Sequence, residues 1–168
     1  AAPPGAPSER LLDFVKDITR AREVYFSDKS GKKLPCTIKN DRWQCSRRQW
    51  NYVGPLRSLM GGKWQKATWA HPRTGMTLHI VFENSVGANY ISLGSAFLER
   101  AYRDHKGKPV EISIFADGKN IKKYTNENVK KYYFSKTELP KNTREIEITI
   151  YTKSDGGRHL VINGYLSK

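Results

Sequence analysis

From residue 77 onward, apolar and polar residues alternate with a period of two, the spacing of strands that bury one face. "TLHIVF" directs Leu78, Ile80 and Phe82 to one side and His79 to the other. "PVEISIF" repeats this with Val110, Ile112 and Ile114, and "REIEITIY" sets Ile146, Ile148 and Ile150 against Glu145 and Glu147 on the water side. "ADGKN" supplies Asp117-Gly118, a pair that tolerates the positive φ angles of a tight hairpin turn. With "NYISLGSAFL", "NVKKYYF", "HLVINGYL", the earlier "EVYF" and a hairpin around the two cysteines, the pattern predicts about eight or nine short strands separated by turns. That is the signature of an all-β sandwich.

The first residues read differently. "AAPPGAP" is small residues and prolines with no apolar core, which predicts a flexible segment over residues 1–7, fitting a linker or the new end left when a signal peptide is removed. Residues 8–168 are expected to form one sandwich domain, a size that buries a real core without staples. Ser8 is placed to cap a short helix whose apolar face is Leu11, Phe14 or Val15, and Ile18, spaced by three and four.

The only two cysteines lie in "KLPCTIKNDRWQCSRRQW". With Asn40 and Asp41 as the central residues of a two-residue turn, pairing runs outward as Lys39 with Arg42, Ile38 with Trp43, Thr37 with Gln44, and Cys36 with Cys45. The cysteines then occupy a non-hydrogen-bonded pair with Cα atoms about 4.5 Å apart, inside the range a disulfide needs. Ile38 and Trp43 share the face of the bridge, so that side is expected to pack on a core. Eight intervening residues offer no C-x-x-C knuckle for zinc and no thioredoxin-like pair. The alternative is two reduced cysteines buried as small apolar residues. A disulfide points to an oxidising compartment, periplasmic or secreted.

Charge widens the choice of partner. Lys and Arg outnumber Asp and Glu by 30 to 16, a net charge of +14 spread along the chain with no basic tail. Such a surface attracts nucleic acid, acidic polysaccharide and anionic lipid alike. No apolar run approaches the ~20 residues of a membrane-spanning helix.

The most unusual stretch is "GGKWQKATWAHPRTG", expected to be loop-rich and carrying Trp64, Trp69, His71 and Arg73. Upstream, "CSRRQWNY" adds Arg47, Arg48 and Trp50, and the hairpin contributes Trp43. Indole faces suit sugar rings or bases, and guanidinium forks suit carboxylate, sulfate or phosphate. These eight residues are the candidate ligand site, and truncation of Trp69 to Ala is expected to weaken binding with little change in melting. His71, before Pro72, is expected to hold its turn by hydrogen bonds.

Catalytic patterns are missing. His71, His79, His105 and His159 form no H-x-H or H-E-x-x-H pair, no G-x-S-x-G occurs, and "LMGGKW" lacks the spacing of a phosphate loop. Glu145 and Glu147 read as a solvated ladder. No metal and no cofactor are expected.

The run "TLHIVFENSVGANYISLGSAF", "KPVEISIFADGKNIKKY", "YYF" and "NTREIEITIYTKSDGGRHLVINGYL" resembles the galactose-binding-like, or discoidin-like, jelly roll of carbohydrate-binding modules, over roughly residues 64–168. The first 60 residues lie outside that pattern. The resemblance implies a non-catalytic module that binds glycans, lipids or proteins through loops at one end. The expected molecule is therefore an all-β, jelly-roll-type sandwich with a short N-terminal helix and a disulfide-closed hairpin. Its expected role is an extracytoplasmic glycan-binding module. The alternatives are an assembly domain of a cell-envelope complex, and a single-strand nucleic-acid binder stacking bases on Tyr132 or Tyr133 beside Lys130 and Lys131.

Overall fold

Alternation of period two becomes fourteen strands in the computed structural model, which describes residues 9–60, 62–98, 108–127 and 131–168. One sheet runs β12 (Tyr133–Glu138), β9 (Tyr90–Phe97), β14 (Leu160–Ser167), β7 (Lys63–Ala70), β6 (Tyr52–Met60), β5 (Arg42–Gln44) and β4 (Thr37–Lys39), with β1 (Arg10–Asp13) also paired to β14. The other runs β11 (Lys119–Asn126), β10 (Val110–Ala116), β13 (Glu145–Thr152), β8 (Thr77–Glu83), β2 (Glu23–Ser27) and β3 (Lys33–Pro35). Neighbouring strands in both sheets are antiparallel.

The core between the sheets is built from the predicted inward positions. Leu78, Ile80 and Phe82, Val110, Ile112 and Ile114, and Ile146, Ile148 and Ile150 are all buried there. The β10–β11 turn falls at Asp117 and Gly118, both at positive φ. No helix among the described residues is long and apolar enough to cross a membrane.

The cysteine hairpin has the expected register, Thr37 with Gln44, Ile38 with Trp43 and Lys39 with Arg42. Asn40 and Asp41 carry the turn at φ 53° and 60°. Cys36 and Cys45 are joined, with Cα atoms 4.1 Å apart. Trp43 enters the core and its Nε1–H donates to the Ile18 carbonyl at 3.0 Å. Ile38 does not follow it: β4 is the edge of its sheet, and the Ile38 side chain is 54% exposed.

The N-terminal helix is not formed. Arg10–Asp13 is strand β1, and only Ile18–Arg20 winds, as one turn of 3-10 helix. The reason lies in β14. On one edge it pairs with β9 throughout, but on the other β7 reaches only Val161 and Ile162. β1 takes the open remainder, setting Leu12 opposite Leu166 and Asp13 opposite Tyr165. The Asp13 carboxylate then turns the chain by accepting from the Val15 and Lys16 N–H groups at 2.8 and 3.0 Å. Of the expected helix face, Phe14, Val15 and Ile18 are buried but Leu11 is only partly so, and its strand neighbour Leu12 takes the inward position instead. Ser8 and residues 1–7 lie outside the described residues.

The expected loop around Trp64 and Trp69 is largely strand β7, paired with β6 from Val53–Ala70 to Met60–Lys63. Gly54 and Pro55 masked β6 in the sequence. β5 pairs β6 only at Tyr52 and Val53, so Pro55 sits past the last β5 partner, where one edge of β6 asks for no N–H. Tyr132 and Tyr133 point to opposite faces. Tyr133 stacks on Tyr124 of β11, and the Tyr132 hydroxyl donates to Asn163 Oδ1 of β14. The two rings therefore do not form one base-stacking platform, and Lys130 lies outside the described residues.

Candidate functional site

Three connections meet at one end of the sandwich, β5–β6, β7–β8 and β13–β14. They enclose a cavity of about 590 Å³ lined by Arg47, Arg48, Trp50, His71, Arg73 and Asp155, among others. Five of the eight residues picked from the sequence thus line a single space.

The β5–β6 connection is held by its own polar groups. The Gln44 amide nitrogen donates to the carbonyls of Ser46 and Arg48, both at 2.9 Å, and Asn51 at 3.2 Å. The Cys45 N–H donates to the Asn51 carbonyl at 2.8 Å, so the disulfide residue closes the same loop. The two hydrogens of this amide, shared among three carbonyls, hold the loop that carries Arg47, Arg48 and Trp50.

The β7–β8 connection is tied to the β13–β14 connection. The Thr74 N–H donates to Asp155 Oδ2 at 3.1 Å, and the Asp155 N–H donates to Thr74 Oγ1 at 3.0 Å. Thr74 and Thr152 form a parallel bridge alongside. Asp155 is the one acid lining the cavity against three arginines. The cavity is therefore electropositive.

His71 lies between rings. Its centroid is 4.9 Å from Trp50, 5.4 Å from Trp69 and 5.4 Å from His159. Its Nδ1 is 2.6 Å from the Pro72 carbonyl. A carbonyl only accepts, so Nδ1 carries the proton, the turn is tied by this bond, and Nε2 is left as an acceptor. Burial holds the imidazole pKa below its ordinary 6.5, with the bond to Pro72 opposing and His159 adding to the depression. His71 is neutral at neutral pH and adds an acceptor, not a charge, to the site.

The other three candidates lie elsewhere. Trp69 is underneath, 8% exposed, its Nε1–H donating to the Trp50 carbonyl at 2.8 Å. It supports the site from below. Trp43 is in the core between the sheets. Trp64 is 66% exposed on the outer part of the β6–β7 hairpin, away from the cavity. Sequence reading passed over Gln44, Asn51 and Asp155. A lone Gln beside a cysteine carries no signal of its own.

Half-exposed Trp50 offers a flat apolar face, three guanidinium groups offer paired donors for an oxyanion, and His71 offers a neutral acceptor for a hydroxyl. No group of His, Cys, Asp or Glu among the described residues could hold a metal ion.

No protein-family model matches the chain, and no curated protein matches it. Solved structures do. The tandem CBM51 modules of a family 98 glycoside hydrolase from Streptococcus pneumoniae align with a TM-score of 0.53 and 15% identity, covering 85% of this chain and 47% of that one. The structure of the M60 catalytic domain with two CBM51 domains from Clostridium perfringens ZmpB aligns at 0.52 and 14% identity, covering 86% of this chain and 18% of that one. The likeness is one of fold: this chain is a jelly-roll-type β-sandwich like those in the two structures. The chain spans under half the length of one match and under a fifth of the other.

Proposed function

We propose that this chain is a non-catalytic glycan-binding module that works in an oxidising, extracytoplasmic setting and takes an acidic saccharide in the loop-end cavity. The observation that carries this reading is the meeting of Trp50, His71 and three arginines in one cavity, on a fold shared with carbohydrate-binding modules. An indole face stacks on the apolar face of a sugar ring, the guanidinium groups meet a carboxylate or sulfate, and His71 Nε2 accepts from a ring hydroxyl. The Cys36–Cys45 disulfide supports the compartment.

One arrangement elsewhere has the order of a hydrolase triad and supports the non-catalytic reading on inspection. On the outer face of the six-stranded sheet, Ser27 Oγ lies 2.8 Å from His79 Nε2, and His79 Nδ1 meets the Glu147 carboxylate. Acyl transfer also needs donors, main-chain or side-chain, aimed at the developing oxyanion. Here β2 is paired on both edges at Ser27, and the Asp28 N–H donates to the Lys32 carbonyl at 3.1 Å. The main-chain donors beside Ser27 are committed, and Tyr25 stacks on His79 with centroids 4.3 Å apart, covering the imidazole face. The line reads as a cross-strand ladder. Labelling of Ser27 by an activated-ester probe would sink this part of the proposal.

The binding claim is tested on a glycan array at low and physiological salt. Selective retention of acidic glycans, lost in Trp50→Ala, is the expected result. Uniform loss with salt across all glycans would mean charge attraction alone.

A further inference from the structure

A larger cavity than the loop-end one, about 660 Å³, lies on the outer face of the eight-stranded sheet. Its origin is topological. β7 and β1 share one edge of β14 in succession, β7 at Val161 and Ile162 and β1 at Tyr165 to Ser167. Between them the strands fork, and the Lys63–Ala67 stretch of β7 has no partner on that edge among the described residues. Phe14 bridges the crotch of the fork, its N–H donating to the Gly164 carbonyl at 2.9 Å and its carbonyl accepting from Thr68 Oγ1 at 2.7 Å, and beyond it Gln65 and Lys66 of β7 line the trough.

The floor is cut by a glycine. Gly94 of β9 stands opposite Phe134 on one side and Asn163 on the other. A Cβ there would collide with Asn163 Oδ1 and the Tyr132 hydroxyl. Its absence lets the Tyr132 hydroxyl cross β9 and donate to Asn163 Oδ1 at 2.9 Å. That bond occupies the Asn163 oxygen and leaves its amide nitrogen without a partner among the described residues. Phe134 stands beside Tyr132 with centroids 6.4 Å apart and is 53% exposed, a large apolar ring left at the rim of a polar trough.

The opposite wall is basic. Arg10 lies over the Tyr165 ring at 4.1 Å, which fixes its guanidinium, and Lys16 and Lys66 line the same space. None of the three is ion-paired among the described residues. The one acid lining the trough, Asp13, has Oδ1 committed to the Val15 and Lys16 N–H groups.

We propose that this trough is a second binding site, for a sugar residue carrying a carboxylate or sulfate. Phe134 stacks on the ring, the Asn163 amide meets a hydroxyl, and Arg10, Lys16 and Lys66 hold the anionic group. It shares no lining residue with the loop-end cavity. An acidic chain long enough to reach both sites would bind with the second contact made intramolecular.

The test is amide chemical-shift mapping and calorimetry on the intact chain with four probes: an oligogalacturonate, a sulfated galactan oligosaccharide, neutral galactotriose and a thymidine oligonucleotide. We expect one or both acidic sugars to shift the amides of Gly94 and Asn163, and the arm that does so tells carboxylate from sulfate. Phe134→Ala and Lys66→Glu each weaken this by about tenfold, with melting unchanged, since both side chains are peripheral to the core. Trp50→Ala leaves those shifts in place. Acidic sugars that shift only residues 45–51 and 71–76 would overturn the second site and leave the loop-end reading standing. No response to any sugar would overturn both, and displacement by the oligonucleotide at lower concentration would give the trough to nucleic acid.

Discussion

Trp69 and Trp50 show how differently two indoles in the same cluster behave. Trp69 is nearly buried and packs on Tyr52, His71 and His159, with its N–H bonded to the Trp50 carbonyl. Truncation to Ala leaves a large hole and an unmade hydrogen bond, so Trp69→Ala is expected to cost about 3–5 kcal/mol by chemical denaturation. Trp50→Ala, at a half-exposed ring, is expected to leave stability nearly unchanged and to remove binding. Equal stability of the two variants would place Trp69 outside its cluster. The sequence-based expectation that Trp69 truncation spares melting is replaced by this one. Both residues were legible as aromatic and near a basic stretch. Which ring faces water was not, because β7 was unrecognised and its last four residues, Ala67 to Ala70, are buried on both faces with no alternation to read.

Among the elements, the β4–β5 hairpin is the one most fully written in the sequence. Asn40-Asp41 sets the turn, the turn sets the register, and the register brings the two sulfurs together, all within ten residues. Its disulfide closes a short loop, and reduction is expected to cost roughly 2–3 kcal/mol through the entropy regained by the unfolded chain. Melting with and without a thiol reductant measures this, and coincident curves would contradict it. The loss is expected to carry to Arg47, Arg48 and Trp50, because Cys45 also anchors their loop through Asn51. The first strand is the opposite case. Residues 10–18 suit a helix face and a strand-turn equally well, and the choice was made by an open edge of β14 some 150 residues away.

For the whole molecule, the clearest solution signature is pH dependence. Burial keeps the folded-state pKa of His71 below 6.5, so near that pH the unfolded chain takes up a proton that the folded chain refuses. The contribution of His71 is fully present above pH 6.5 and is lost as pH falls below it. Melting temperature is expected to drop between roughly pH 7.5 and 5.5, and His71→Gln is expected to flatten that slope. An unchanged slope in the variant would mean that His71 is not the group responsible.

Local chemistry determined the period-two strands, the inward isoleucines of β8, β10 and β13, both tight hairpin turns and the disulfide, because each depends on residues a few positions apart. Only the tertiary structure decided the fate of residues 10–20, the strand hidden behind Pro55, the side of the sheet taken by each tryptophan, and the trough at Gly94. Those outcomes depend on which strand edges remain open after distant segments have paired, and no short window of sequence holds that information.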